Sequence, residues 1–277
     1  MFKTIRQRVL CGCSLFFLGT LPLAAHDFWI EAEPFTADAG SSVDIHLRIG
    51  EQLGGDSLPW VPNWYSKTGI LGPDDELVPS ADWPGLTGDV PAGRLAVNSE
   101  GVHIIALQTY RDFVELDAIK FNAYLRKEGL ERVLKIRETE GLSNTPGTEF
   151  YTRCAKALIN AGTAVESDPA EIAHQFGLTL ELIPLANPYT LATGESLSVQ
   201  LLYQSEPIEG ITLIAFNDAD PEERQAIVTD AMGMATVDLN TAGVWLLQAI
   251  HMLPVEEPSR ADWESYWASL TFELQSN

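Results

Sequence analysis

The chain has 277 residues, with 39 acidic against 17 basic side chains and a formal net charge of −22. This acidic excess argues against nucleic-acid binding, because phosphate backbones attract clustered lysine and arginine, and against an anionic membrane surface. Hydrophobic residues make up 45% and charged residues 20% of the chain, which is typical of a globular protein.

Residues 1–25 predict a secretory signal peptide. Three basic side chains precede a mostly apolar run from Val9 to Leu23, and Ala24-Ala25 is a small-residue cleavage context. The run is too short for a comfortable membrane span. We therefore expect export to the periplasm without membrane insertion of the processed chain, which would begin at His26, or at Ala25 if cleavage falls one residue earlier.

The pattern of residues 26–119 predicts an antiparallel, β-sandwich-like domain. Its expected strands are Phe28–Glu31, Val43–Ile49, Leu95–Val97 and Val102–Tyr110. Between the second and third strands, residues 50–93 are rich in Gly, Pro and Asp and predict one long loop. The aromatic side chains of this loop either pack against one another or form a sugar- or protein-binding surface.

Residues 120–176 predict a helical insertion followed by a connector. Apolar residues from Phe121 to Leu134 approximate a helical stripe, with Gly129 as a break. A second helix is expected over Glu149–Ala161, where apolar residues fall on one helical face and Gly162 is a natural end. Residues 163–176 are polar and predict the connector.

Residues 177–277 predict an immunoglobulin-like β-sandwich, because short strands recur at roughly regular spacing with turn residues between them. The seven expected strands are Leu178–Ile183, Ser196–Tyr203, Ile211–Phe216, Gln225–Thr229, Ala235–Leu239, Val244–Met252 and Ser265–Leu274. The fold class expected for the whole chain is therefore mainly β, with two β-sandwich regions and a helical insertion between them.

His26 is the first candidate metal ligand. At the start of the processed chain, its α-amine and imidazole would form one chelate, and both are neutral near pH 8 because their ordinary pKa values are about 7.7–8.0 and about 6.5. Asp27 would either coordinate the metal through a carboxylate oxygen or orient a coordinating residue without contacting the metal itself. The alternative is that His26 merely follows a cleavage site.

Two further histidines are candidates for completing the site. His103 shares a strand face with Ile105 and Leu107, so it is either a core histidine or a ligand. His251 lies at the end of an expected strand and precedes Met252, whose thioether suits copper(I). The sequence contains no G-x-S-x-G, H-E-x-x-H, C-x-x-C or P-loop motif. We therefore expect a binding protein and not an enzyme.

Several segments are similar to a family of exported proteins of unknown function that is associated with the periplasmic component of cobalt/nickel transport (NikK-like). The similar segments are Ala25–Trp29, Phe121–Leu130, Tyr151–Leu158, His251–Met252 and Asp262–Thr271. The resemblance implies β-sandwich parts with a helical insertion, and binding of nickel or cobalt outside the inner membrane. It also implies His26 and His251 as ligand-bearing positions, together with His103.

The leading hypothesis is a periplasmic accessory protein that binds a divalent metal ion and serves a membrane metal transporter. Its ligands would be His26, His251 or His103, and Asp27, and copper or zinc would also suit such nitrogen donors. One alternative is an oxidoreductase that holds copper in a histidine brace made by His26 and a second histidine. Another is a sandwich module that presents its tryptophan-rich loop to a sugar or a protein.

Overall fold

A computed structural model describes residues 26–73, 77–78, 82–163, 169–255 and 260–276, with the backbone alone for 169 and 170. The predicted signal peptide, residues 1–25, lies outside the described residues. Within the described ranges, no helix has the length and apolar character needed to cross a membrane.

A large central sheet organises the described part of the chain. Its ten strands are β2 (Thr36–Ala37), β5 (Tyr65–Leu71), β6 (Leu77–Val78), β8 (Gly101–Thr109), β9 (Asp112–Leu116), β10 (Gly147–Ala161), β14 (Thr212–Asn217), β15 (Asp220–Val228), β17 (Gly243–Pro254) and β18 (Trp263–Leu274). The order is β15-β14-β17-β18-β10-β8-β5-β6, and β2 and β9 also pair with β10. β10 runs parallel to β18 and antiparallel to β8.

Two smaller sheets pack on opposite faces of the central sheet. The first contains β1 (Asp27–Glu33), β3 (Ser41–Glu51), β4 (Gly54–Leu58) and β7 (Gly93–Val97), and the second contains β11 (Leu180–Pro184), β12 (Glu195–Tyr203), β13 (Glu206–Pro207) and β16 (Met234–Leu239). Successive strand residues point to opposite faces. Accordingly, Ala157 of β10 packs in the core beneath the first small sheet, and Leu158 packs beneath the second.

A pair of helices covers the central sheet beside the first small sheet. The helices are α1 (Ala118–Lys127) and α2 (Glu131–Thr139), and a short α3 follows later (Pro169–Ile172). The Asp117 side chain accepts a hydrogen bond from Lys120 N and so caps the start of α1. Gly129, with φ of +69°, makes the turn between α1 and α2. Their apolar faces pack on Ile250 and Trp267.

The predicted fold class is confirmed: the described chain is mainly β, its sheets pack face to face as in a β-sandwich, and a helical pair is inserted. All seven strands expected after residue 177 are present, and the helical stripe that starts at Phe121 is α1 and α2. The predicted domain boundaries stay predictions. The central sheet contains strands from both predicted β-domains.

The helix predicted over Glu149–Ala161 is wrong, because this segment is the long strand β10. β10 lies in the middle of the central sheet and is covered on both faces, so ten consecutive residues from Thr152 to Ala161 are buried. A strand buried on both faces loses the alternation of polar and apolar residues by which strands are recognised. Its apolar run therefore fitted a helical period by chance.

The long loop predicted over residues 50–93 is also corrected, because β4, β5 and β6 lie within it. β5 pairs with β8 and becomes part of the central sheet. The Trp60 ring stacks at 4.8 Å on Tyr65 and at 4.3 Å on Trp83. Most of the aromatic side chains of the segment therefore form a buried stack, whereas Trp64 is exposed.

Candidate functional site

A cluster of charged side chains surrounds the first described residues of the chain. We call His26, Asp27, Glu51, Lys127 and Glu128 the terminal cluster. Asp27 opens β1 and pairs with Gly50 at the end of β3, which places Glu51 close by. Lys127 is the last residue of α1, and Glu128 follows it. The cluster therefore lies where the first small sheet meets the helical pair.

Asp27 is a buried carboxylate at the start of β1. Alternation along β1 turns Phe28 into the core beneath the first small sheet and turns Asp27 and Trp29 towards β14 and β17. Asp27 is 1% exposed, and neither of its carboxyl oxygens has a well-aligned hydrogen-bond donor among the described residues, although the Gln248 amide lies near enough to lower its pKa. Buried polar groups normally have such a partner. A buried, unsatisfied carboxylate at a predicted chain start is therefore a candidate ligand.

Glu128 is a second buried carboxylate of the cluster, at 2% exposure. Its Oε2 accepts a hydrogen bond from Gln248 Nε2 at 3.1 Å, and its Oε1 lies 3.5 Å from Lys127 Nζ. Glu128 also follows the carboxyl end of α1, where the helix dipole disfavours a negative charge. Position and burial both make its ionised form costly.

The electrostatics of the cluster favour a bound cation or a shared proton. Burial raises the pKa of Asp27, against the opposing charges of Lys127 and Arg224. Burial and the charge of Asp27 raise the pKa of Glu128 as well. Lys127 Nζ donates to Glu51 Oε1 at 2.9 Å and lowers the pKa of Glu51. The buried carboxyl groups of Asp27 and Glu128 thus lie beside the more exposed ion pair of Lys127 and Glu51.

His26 is held at the edge of this cluster. Its backbone carbonyl accepts a hydrogen bond from an Arg153 guanidinium nitrogen at 3.2 Å, and its side chain is half-buried. The imidazole lies near enough to Glu51 to contribute to lowering the pKa of that carboxyl. The structure therefore brings together His26 and Asp27, two of the four predicted ligands.

His103 lies elsewhere. It sits on β8 opposite Ile159 of β10 and is 5% exposed. Arg153, which contacts His26, is six residues earlier on β10, and six strand residues span about 20 Å. His103 therefore occupies the core position that its strand face suggested and does not approach His26.

His251 is also separate from the terminal cluster. Gln248, which contacts Glu128, and His251 lie three residues apart on β17, about 10 Å along the strand and on opposite faces. The His251 ring packs edge-on against Tyr203 at 4.6 Å. Neither His103 nor His251 supplies the second imidazole that a copper brace with His26 would need.

The burial of His251 predicts an acid-sensitive fold. Desolvation, with a contribution from Arg132, lowers its pKa to about 4. Between about pH 6.5 and 4, the unfolded chain binds a proton on His251 that the native chain does not bind. The free energy of unfolding therefore decreases as the pH is lowered through this window. We expect the drop in the free energy of unfolding from pH 7.5 to pH 5, measured by urea unfolding, to be smaller in His251→Gln by on the order of 1 kcal/mol. An unchanged pH dependence would contradict this assignment.

Among the described residues, no group of three or more His, Cys, Asp and Glu side chains could hold a metal ion. Any complete donor set here must therefore include a group other than these side chains, such as the α-amine that processing before His26 would release. Sequence reasoning missed Glu51, Lys127, Glu128 and Arg153. The signal available for Arg153 was a charge inside an apolar run, which on a buried strand marks a polar site.

Comparisons with known proteins give a family and a distant structural likeness. The family model described as "Domain of unknown function (DUF4198)" matches residues 23–253. A search of curated proteins finds no match. The D0-D1 domain of intimin is similar at 10% identity and a TM-score of 0.20, covering 89% of this chain and 97% of that one. Three N-terminal domains of the bacteriophage RB49 outer capsid protein Hoc are similar at 10% identity and a TM-score of 0.19, covering 89% and 59%.

Proposed function

Because the chain belongs to the family of unknown function DUF4198, we propose its function from its own residues. It is an exported, periplasmic protein that binds a divalent transition-metal ion at the terminal cluster. Nickel or cobalt is the favoured ion, carried as cargo for a membrane metal transporter. The site uses His26 and Asp27 and does not use His103 or His251.

The observation that carries this proposal is the Asp27 carboxylate, which is 1% exposed and has no well-aligned hydrogen-bond donor among the described residues, with the Gln248 amide near enough only to lower its pKa in part. A buried charge of this kind is costly unless it is paired or coordinates a cation. Lys127 and Arg224 offset part of its charge from a distance. Its position next to His26 is what a mixed nitrogen and oxygen ligand set requires.

The donor chemistry fits a borderline transition metal. After processing, His26 offers its α-amine and imidazole, and Asp27 offers a carboxylate. Imidazole nitrogen suits zinc, copper, iron and nickel, whereas an all-oxygen site would suit magnesium or calcium. Burial raises the pKa values of Asp27 and Glu128 although Lys127 and Arg224 lie nearby, and a divalent cation would favour the ionised form of both carboxyl groups.

The test is a nickel titration of protein produced with its own leader, with the first residue established by N-terminal sequencing. Nickel binding is measured by calorimetry at pH 7.5. We expect at least tenfold weaker binding when Gly-Ser precedes His26, because the amine then leaves the chelate. Asp27→Asn is expected to weaken binding similarly. Lys127→Met is expected to strengthen it, because a neighbouring positive charge is removed.

Two variants serve as matched controls. Glu138→Gln removes an exposed carboxylate on α2, and His251→Gln removes a buried imidazole outside the cluster. Both are expected to bind nickel as the unaltered protein does. Equal affinity with and without the Gly-Ser extension would overturn the terminal chelate. Weaker nickel binding by His251→Gln would indicate that His251 is a ligand and would contradict the proposed site.

A further inference from the structure

A groove of about 440 Å³ opens beside the terminal cluster, and the function proposed above does not use it. Its walls come from the first small sheet, the turn before β5, the connection from β8 to β9, and the part of β10 that contains Tyr151 and Arg153. Five aromatic side chains line it, namely Phe28, Trp64, Tyr65, Tyr110 and Tyr151. The volume lies within the range of about 300–1,000 Å³ that is usual for small-molecule sites.

Two of these aromatic rings are exposed at the rim. Trp64 is 47% and Tyr110 is 60% exposed, although large aromatic side chains usually bury most of their surface. Tyr110 N donates a hydrogen bond to Trp64 O at 2.9 Å, which holds their two segments together. The two rings thus form a fixed apolar rim that a ligand could cover.

Two arginine side chains line the groove although the chain is acidic. Arg111 and Arg153 line it together with one acidic side chain, Asp112, and Arg111 also pairs with Glu264 at 3.4 Å, which leaves Arg153 as its main cation. Asp112 Oδ2 accepts a hydrogen bond from Tyr151 OH at 3.0 Å, so this carboxylate helps to form the wall. Arg153 is 6% exposed, and its guanidinium carbon lies 5.1 Å from the centre of the Tyr151 ring. The whole chain, by contrast, has a net charge of −22.

We propose that this groove binds a small organic carboxylate with an aromatic or similarly planar apolar body. A guanidinium in apolar surroundings binds carboxylate strongly, because two parallel hydrogen bonds form away from water. The aromatic walls bury the body of the ligand. The acidic surface elsewhere repels anions, so the groove is the favoured place for them.

The probes are 2-naphthoate and its neutral analogue 2-naphthamide, titrated by calorimetry into processed protein kept metal-free with EDTA. We expect 2-naphthoate to bind at least tenfold more tightly than the amide. Arg153→Gln and Trp64→Ala are each expected to weaken 2-naphthoate binding at least tenfold. Arg94→Gln, which alters an exposed arginine on β7, is the matched control and is expected to change nothing.

Equal affinity for the carboxylate and the amide would overturn the proposal, as would an absence of 2-naphthoate binding. Unchanged binding in Trp64→Ala would also overturn it, and this variant remains informative if Arg153→Gln fails to fold, because Trp64 is exposed. The inference is independent of metal binding. A protein that binds 2-naphthoate without EDTA-sensitive nickel binding would retain the groove and lose the proposed function.

Discussion

Replacing Lys156 with methionine is expected to lower the free energy of unfolding by about 3–5 kcal/mol, because the change leaves the buried carboxylate of Glu181 without an opposite charge. Lys156 Nζ lies 3.0 Å from Glu181 Oε1, and both side chains are at most 2% exposed. Lys156 Nζ also donates to the carbonyl of His174 at 3.1 Å. Urea unfolding measured at pH 7.5 gives the change in free energy.

The size of this effect follows from what Glu181 holds in place. Its Oε1 accepts a hydrogen bond from Phe176 N at 2.8 Å, and its Oε2 accepts one from Leu178 N at 3.0 Å. The ion pair therefore fixes the segment before β11 to β10. Removing the lysine leaves two backbone donors to balance a full negative charge in a nonpolar interior, which is insufficient.

A double variant and a surface variant are the controls. Lys156→Met combined with Glu181→Gln is expected to recover at least half of the loss, because no uncompensated charge remains. Lys135→Met removes one member of an exposed pair with Glu138, which typically contributes less than about 1 kcal/mol. A loss below about 1 kcal/mol in Lys156→Met would contradict the assignment of a structural ion pair.

Lys156 also shows how far the sequence predicts this fold. The strands after residue 177 could be predicted because turn residues separate them. β10 could not, because a strand covered on both faces has no polar side to reveal its period. Within that strand, Arg153 donates to the backbone carbonyl of His26 and Lys156 pairs with Glu181, and both partners lie far away in the sequence. No local pattern can reveal such pairs.

Only part of the candidate site could be predicted, because its remaining residues are also distant from His26 in the sequence. The sequence draws attention to His26 and Asp27 because they follow a predicted cleavage position. Glu51 and Glu128 reach them only through the pairing of β1 with β3 and the packing of α1 on the central sheet. The sequence offered His251 or His103 as a further ligand beside His26, but strand register places both on other parts of the sheet.

Glu149→Gln is expected to remove about 2–3 kcal/mol of the pH dependence of stability between pH 5 and pH 8. Glu149 is 1% exposed, and its Oε1 accepts hydrogen bonds from Tyr124 OH at 3.3 Å and from Ser265 Oγ. Desolvation raises its pKa to about 7, although these hydrogen bonds oppose the shift. Glu149 thus joins α1 to β18 from a fully buried position.

The sign of this effect follows from where the proton is bound. Between about pH 4.5 and 7, native Glu149 keeps a proton that the unfolded chain has lost, so raising the pH through this window destabilises the fold. Glutamine cannot ionise, and its amide oxygen still accepts hydrogen bonds from Tyr124 and Ser265. The difference between the unfolding free energies at pH 5 and pH 8 should therefore shrink in Glu149→Gln. Glu115→Gln, an exposed change on β9, is the matched control, and an equal shrinkage in that variant would refute the role assigned to Glu149.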